Sequence, residues 1–164
     1  IQKLLKKVIL NSNVPTVIDA DGINALSKNI ELLKKANAPI ILTPHPAEMA
    51  RLCGTTTGEV EKDRINTAIN FAKQYNCYLV LKGANTIVCS PDSKVFFNTN
   101  GNPGLATGGS GDVLAGIIVS YLAQGMPIID ALKAAVYIHG ETADKKAIIL
   151  GEAALLPSDI IEAL

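Results

Sequence analysis

A chain of 164 residues with 48% hydrophobic content is long enough to bury a core, and its 15 basic and 15 acidic residues cancel. No Lys/Arg stripe stands out, which argues against a protein that grips a nucleic-acid backbone or an anionic membrane. Aromatic residues supply 4% and Trp is absent, so the core must come from Ile, Leu, Val and Ala, as in parallel sheets packed between helices. Cys53, Cys77 and Cys89 form no C-x-x-C pair, so neither a disulfide framework nor a zinc site is expected, and a reducing, cytoplasmic setting fits best.

At the start, Leu4, Leu5, Val8 and Ile9 recur at helical spacing and predict an amphipathic helix that Pro15 ends. Its interleaved lysines distinguish it from a signal peptide or an anchor. PTVIDA at 15–20 predicts a buried strand with its carboxyl end at Asp19 to Asp21, and residues 24–36 follow in a helical pattern. PIILT is a second strand. PAEMARL opens a helix with Pro46 in its first turn and Glu48 near the positive end of the dipole. Residues 58–75 read as one longer amphipathic helix, and CYLVLKG as a third buried strand.

TIVCS and KVFFN flank the turn-forming PDSK, which predicts a hairpin appended to the parallel sheet, so that the sheet is mixed. The Gly-rich TNGNPGLATGGSG then opens into DVLAGIIVSYLAQG, apolar nearly all round and so expected to be a buried helix. A further helix is expected over roughly 128–144, ending at ADKK, and Ser158 is placed to N-cap a last short one. No repeat, low-complexity tract or linker divides the chain, so residues 1–164 are expected to form one α/β domain or part of one.

The informative stretch is GLATGGSGDVLAG at 104–116. Glycines let backbone N–H groups converge, and a helix start adds partial positive charge, so together they make a cradle for phosphate beside Gly109, Ser110 and Gly111. The stretch lacks the Lys-Ser/Thr of a Walker A loop and the spacing of a dinucleotide fingerprint. Asp112 lies where a phosphate would repel it. Its two readings are a general base that takes the proton from an attacking hydroxyl, and a carboxylate that only stabilises the helix start.

GNPGLATGGSGDVLAG, with VIDADGINAL, TPHPAEMARL and LVLKGANTIV, resembles the ADP/ATP-dependent NAD(P)H-hydrate dehydratases of the ribokinase-like superfamily. The four motifs occur in the family's order. The Gly-rich segment and its Asp would identify only the superfamily, whereas TPHPAEMARL supports the dehydratase branch. The resemblance implies a three-layer α/β/α fold with a mostly parallel sheet.

It also implies roles. The nucleotide is held by Lys82, Gly83, Ala84, Asn85 and Thr86 and by Asn102, Gly104, Leu105, Ala106, Thr107, Gly108, Gly109, Ser110 and Gly111. His45, Pro46, Glu48 and Arg51 face the hydrated nicotinamide nucleotide, with Asn24 helping to shape its pocket, and Asp112 both contacts it and acts catalytically. The implied activity is that of a carbon–oxygen lyase: phosphoryl transfer from ADP or ATP, with Mg²⁺, turns the ring hydroxyl of NAD(P)HX into a leaving group whose loss restores NAD(P)H. The expected partners are these two nucleotides and other copies of the chain, as in a tetramer. No residue set is assigned to a metal.

Asp19 and Asp21 could pair on a cation but are better read as structural, and His139 as a satisfied core residue. The resemblance further implies a considerable stretch preceding Ile1, including an early Gly-rich segment, without which the hydrate pocket lacks a wall and a sheet edge is open. The alternatives are a ribokinase-like small-molecule kinase that keeps its phosphorylated product, and a nucleotide-binding protein without turnover.

Overall fold

The computed structural model describes all of residues 1–164, which cluster into two compact units, 1–97 and 98–164. The first holds helix α1 (Gln2–Asn11), strand β1 (Thr16–Ile18), α2 (Asp21–Leu26), a 3₁₀ segment (Ile30–Lys35), β2 (Ile40–Leu42), α3 (Pro46–Cys53), α4 (Thr57–Lys62), α5 (Arg64–Tyr75), β3 (Tyr78–Leu81) and β4 (Thr86–Cys89). Strand β5 (Val95–Asn98) completes a five-stranded sheet of order β1-β2-β3-β4-β5.

β1 pairs with β2 and β2 with β3 in parallel, with Val17 opposite Ile41 and Leu42 opposite Leu79, whereas β3 and β4 run antiparallel with Val80 opposite Val88. The mixed sheet with its appended hairpin is as expected. Short apolar, β-branched runs are what a strand buried on both faces requires. Leu42, Leu79, Leu81 and Cys89 join one core with Ile9, Ile23, Met49 and Phe71, while Ile41, Val80 and Val88 alternate to the other face and are also buried. Burial of Ile9 contributes roughly 1.5–3 kcal/mol, and Asn37 Nδ2 donates to the otherwise orphaned Leu10 carbonyl at 2.5 Å. Burial pushes the Cys77 thiol up to about 12 and that of Cys89 up to about 11.

Two expected helices are broken. The pattern at 24–36 splits into α2 and the 3₁₀ segment because Ser27 Oγ turns back onto the Asn24 carbonyl and Asn29 leaves helical geometry at φ −155°. The pattern at 58–75 breaks at Asp63 (φ −148°, ψ 70°), whose carboxylate accepts from Asn66 N at 3.1 Å and so starts α5 afresh.

The second unit is helical: α6 (Ser110–Ala123), α7 (Ile128–Leu150) and α8 (Pro157–Glu162), with 3₁₀ turns at Pro103–Ala106 and Glu152–Ala154. Val113, Leu114, Ile117 and Ile118 of α6 share a buried face, and Ala131, Leu132, Ala135 and Val136 of α7 do the same, their alanines permitting close approach of the two helices. α6 is not buried all round: Val119 is 51% exposed, and Gly116 and Ser120 lie on the open side with it. α7 runs through ADKK to Leu150, because Ala and Lys are good helix formers and Lys145 pairs with Glu141 at 3.1 Å one turn back. Ser158 is not the cap of α8. Pro157 takes the first helical position, and the Asp159 carboxylate reaches back to Leu156 N at 2.8 Å.

Candidate active site

In the first unit, chemistry-bearing residues gather where the parallel strands end, the rim at which open α/β sheets bind ligands. Thr43 N donates to Ile18 O at 3.3 Å and Lys82 N to Pro44 O at 2.8 Å, stitching the segments that leave β1, β2 and β3. The Lys82 ammonium donates to Asp19 Oδ1 at 2.9 Å, with side chains only 21% and 13% exposed. Asp19 therefore has a fixed cation. Ala20, which follows it, takes φ 47°, a strained value for a residue with a side chain, and Asp21 leaves the strand to open α2. Gly22 is needed there, since a Cβ would lie 2.8 Å from Ile18 Cγ2.

His45 caps α3 with its ring. Nδ1 accepts from Ala47 N at 3.2 Å and Glu48 N at 3.4 Å, while Glu48 Oε2 accepts from His45 N at 2.9 Å, a reciprocal box with Pro46 inside it. An accepting Nδ1 assigns the proton of the neutral ring to Nε2, which lies 3.5 Å from Glu48 Oε1. Glu48 is buried and His45 half-exposed. Arg51 Nη1 donates to Asn24 Oδ1 at 2.9 Å, so these two expected substrate residues are held together. In the Lys82–Thr86 segment the Thr86 hydroxyl donates to Gly83 O at 3.1 Å. Arg64, not anticipated from the sequence, donates to three carbonyls of this segment and its approach: Leu81, Lys82 and Ala84.

In the second unit, the Gly-rich loop is moored before it turns. Asn98 and Asn100 donate to the carbonyls of Val136 and Tyr137 at 3.2 and 3.0 Å, and Asp144 accepts from Gly101 N at 2.8 Å and Asn102 Nδ2 at 2.9 Å. The alternation Asn-x-Asn-x-Asn was the available signal, since every second residue of an extended segment faces one way. Asn102 Oδ1 then accepts from Gly104 N at 3.0 Å.

Gly109, at φ 93°, starts α6 without any side-chain cap. Ser110 N donates to Thr107 O at 3.3 Å, whereas the N–H groups of Gly108, Gly109, Gly111 and Asp112 have no acceptor in the chain. Ser110 is buried against His139, whose Nε2 lies 3.1 Å from Ser110 O and 3.3 Å from its Oγ, so His139 is the satisfied interior residue expected of it. The Asp112 carboxylate is exposed and unpaired. The loop thus presents main-chain donors and a single carboxylate, the donor set for an anion and a proton.

No group of three or more His, Cys, Asp or Glu side chains converges on a metal position. No helix is long and apolar enough to cross a membrane.

The NAD(P)H-hydrate dehydratase family model matches residues 1–164. A bifunctional NAD(P)H-hydrate repair enzyme of Moorella thermoacetica is 42% identical over 98% of the chain and 30% of its own length. An ADP-dependent (S)-NAD(P)H-hydrate dehydratase of Neisseria meningitidis is 47% identical over 82% of the chain and 46% of its own. A crystal structure of the ADP/ATP-dependent NAD(P)H-hydrate dehydratase of Bacillus subtilis, grown with ATP/Mg²⁺, superposes with a TM-score of 0.84 at 32% identity, over 94% of this chain and 54% of that one. The chain therefore spans between about a third and somewhat over half of these relatives. A hydroxyethylthiazole kinase of Pyrococcus horikoshii shares the fold at a TM-score of 0.74 and 21% identity.

Proposed function

We propose that this chain, which belongs to the NAD(P)H-hydrate dehydratase family over residues 1–164, carries the ADP- or ATP-dependent dehydration of hydrated NAD(P)H. The observation that carries this reading is the start of α6: four unpartnered N–H groups beside the free carboxylate of Asp112. That donor set suits a terminal phosphoryl group and an alcohol that must lose a proton.

The chemistry follows from leaving-group ability, because hydroxide departs poorly and phosphate well. The ring hydroxyl oxygen attacks the terminal phosphorus, and its proton passes to an Asp112 carboxylate oxygen. The bond to the bridging oxygen breaks, so the nucleotide leaves one phosphate shorter. The loop amides meet charge as it develops on the transferred oxygens. Loss of phosphate from the ring carbon and of a proton from its neighbour then restores the reduced nicotinamide. His45, Glu48, Arg51 and Asn24 would position the hydrate, with the His45 ring offering its Nε2–H as a donor.

Mg²⁺ typically uses one or two carboxylates and completes its shell with phosphates and water. A chain with the lone Asp112 carboxylate at the loop, and no preassembled cluster, suits a cation that arrives with the nucleotide. When bound it would neutralise charge on the phosphates. Cysteines that are all free support a reducing, cytoplasmic setting.

The test is to incubate protein carrying this chain with hydrated NADH, Mg²⁺ and either ADP or ATP. The near-ultraviolet absorbance of NADH should return with release of phosphate. A stable phosphoester instead would identify a small-molecule kinase, and no turnover with either nucleotide would leave only a binding role.

A further inference from the structure

We propose that Arg64 is a positioning residue for the nucleotide, acting by shaping the Lys82–Thr86 segment so that its amides face outward. The inference rests on the reading above, in that it assigns this segment to the nucleotide. Arg64 opens α5, and its side chain is only 15% exposed. Nη1 donates to Ala84 O at 2.6 Å, and Nη2 to Leu81 O at 3.2 Å and Lys82 O at 3.1 Å. A planar fork with fixed donors is the group that can hold three carbonyls at once; a lysine ammonium, a point charge on a flexible stem, cannot reproduce the arrangement.

Collecting these carbonyls on one cation turns the peptide planes between them. The N–H groups of Gly83, Ala84 and Asn85 have no acceptor in the chain, and all three residues are exposed. Gly83 at φ 137° and Asn85 at φ 55° take the backbone values that such a turn demands. A Cβ at position 83 would also lie 2.9 Å from Nη2 and 3.2 Å from Cζ, so a side chain there would push the guanidinium away from its carbonyls.

The charge is not spent on a close partner. The one carboxylate oxygen in ion-pair range, Glu61 Oε2, is 4.0 Å from Nε on a half-exposed side chain, and Nε is buried without a hydrogen bond. A loop tie alone does not need a cation. One placed behind outward-facing amides adds a favourable field for a polyanion.

The experiment measures ADP binding by calorimetry for the wild-type protein and Arg64→Lys, with hydrate affinity and thermal midpoint alongside. In the variant ADP should bind roughly ten-fold or more weakly, the loss of about one charge-assisted contact, while hydrate affinity holds. Equal ADP affinity in the two proteins overturns the proposal, as does an equal loss for both ligands, which is the signature of general loosening.

A second measurement needs no variant. Amide hydrogen exchange at Gly83, Ala84 and Asn85 in the wild type should slow when ADP is added, and unchanged exchange overturns the proposal even if Arg64→Lys does not fold. Because binding is read directly, wild-type protein that binds ADP through these amides without turning over the hydrate would sink the dehydratase reading and leave Arg64's role intact.

Discussion

Two helices begin in opposite ways. α3 seals its own first turn: His45 Nδ1 takes two N–H groups, Glu48 returns a carboxylate to His45 N, and Pro46 removes a third donor. α6 begins at Gly109 with no side chain turned onto it and leaves four N–H groups unclaimed. Orphaned donors at a helix start cost stability unless something takes them up, so the sealed start serves the fold, whereas the open one leaves its donors to solvent or to the proposed phosphate. Both carry an acid in the first turn. Glu48 is buried and consumed by its cap, while Asp112 is exposed and available.

The contrast can be broken most sharply at its acids. Asp112→Asn should lower dehydration turnover by about 10²–10⁴-fold while leaving the thermal midpoint and ADP affinity nearly unchanged; a variant that keeps its rate would reduce the open start to an anion perch. Next in size is Gly109→Ala. It asks a side-chain-bearing residue to hold φ 93° and places a Cβ 3.1 Å from Pro157 Cγ, so denaturant unfolding should show a loss of about 1–3 kcal/mol, accompanied by weaker ADP binding. Glu48→Ala should cost about 1–2 kcal/mol through the lost box and the stranded His45 N–H, and turnover at saturating hydrate should fall far less than in Asp112→Asn.

Alkaline titration separates the regions by another route, because the unit containing α6 has no cysteine. Cys77 and Cys89 have folded pKa values above the unfolded value of 9.0, so the unfolded chain releases these protons first. The stability they confer is complete below pH 9 and is lost as pH rises toward 11–12, by up to about 1.4 kcal/mol per pH unit for each thiol. Unfolding measured between pH 8 and 10.5 should show that decline, and replacing both thiols by Ala should flatten it.

What the sequence disclosed was whatever composition alone enforces. TVI, IIL, YLVL and TIVC could only be buried strands, and GGSGD announced a bare helix start. What stayed hidden depended on partners without a sequence signature. Asp63 sits on the polar side of a pattern that continues across it, so periodicity ran through the break that its own capping creates. Arg64 was invisible because its partners are carbonyl oxygens, which every residue has. The capping role of His45 went unread beside its expected substrate role, although Pro46 and Glu48 next to it already spelled a capping box, with an imidazole nitrogen in place of the usual hydroxyl or carboxylate. Lys82 read as a phosphate ligand, and nothing local foretold that Asp19, 63 positions earlier, would hold its ammonium.

The mooring of Asn98, Asn100 and Asn102 along α7 makes position 140 a fulcrum. Asn100 presses against the α carbon of Gly140 so closely that even a methyl group there would strike its amide. The 23-residue rod of α7 and the loop that precedes α6 are therefore geared together through a contact only hydrogen can fill. A single added carbon, remote in sequence from the Gly-rich stretch, would disengage the loop from its anchor.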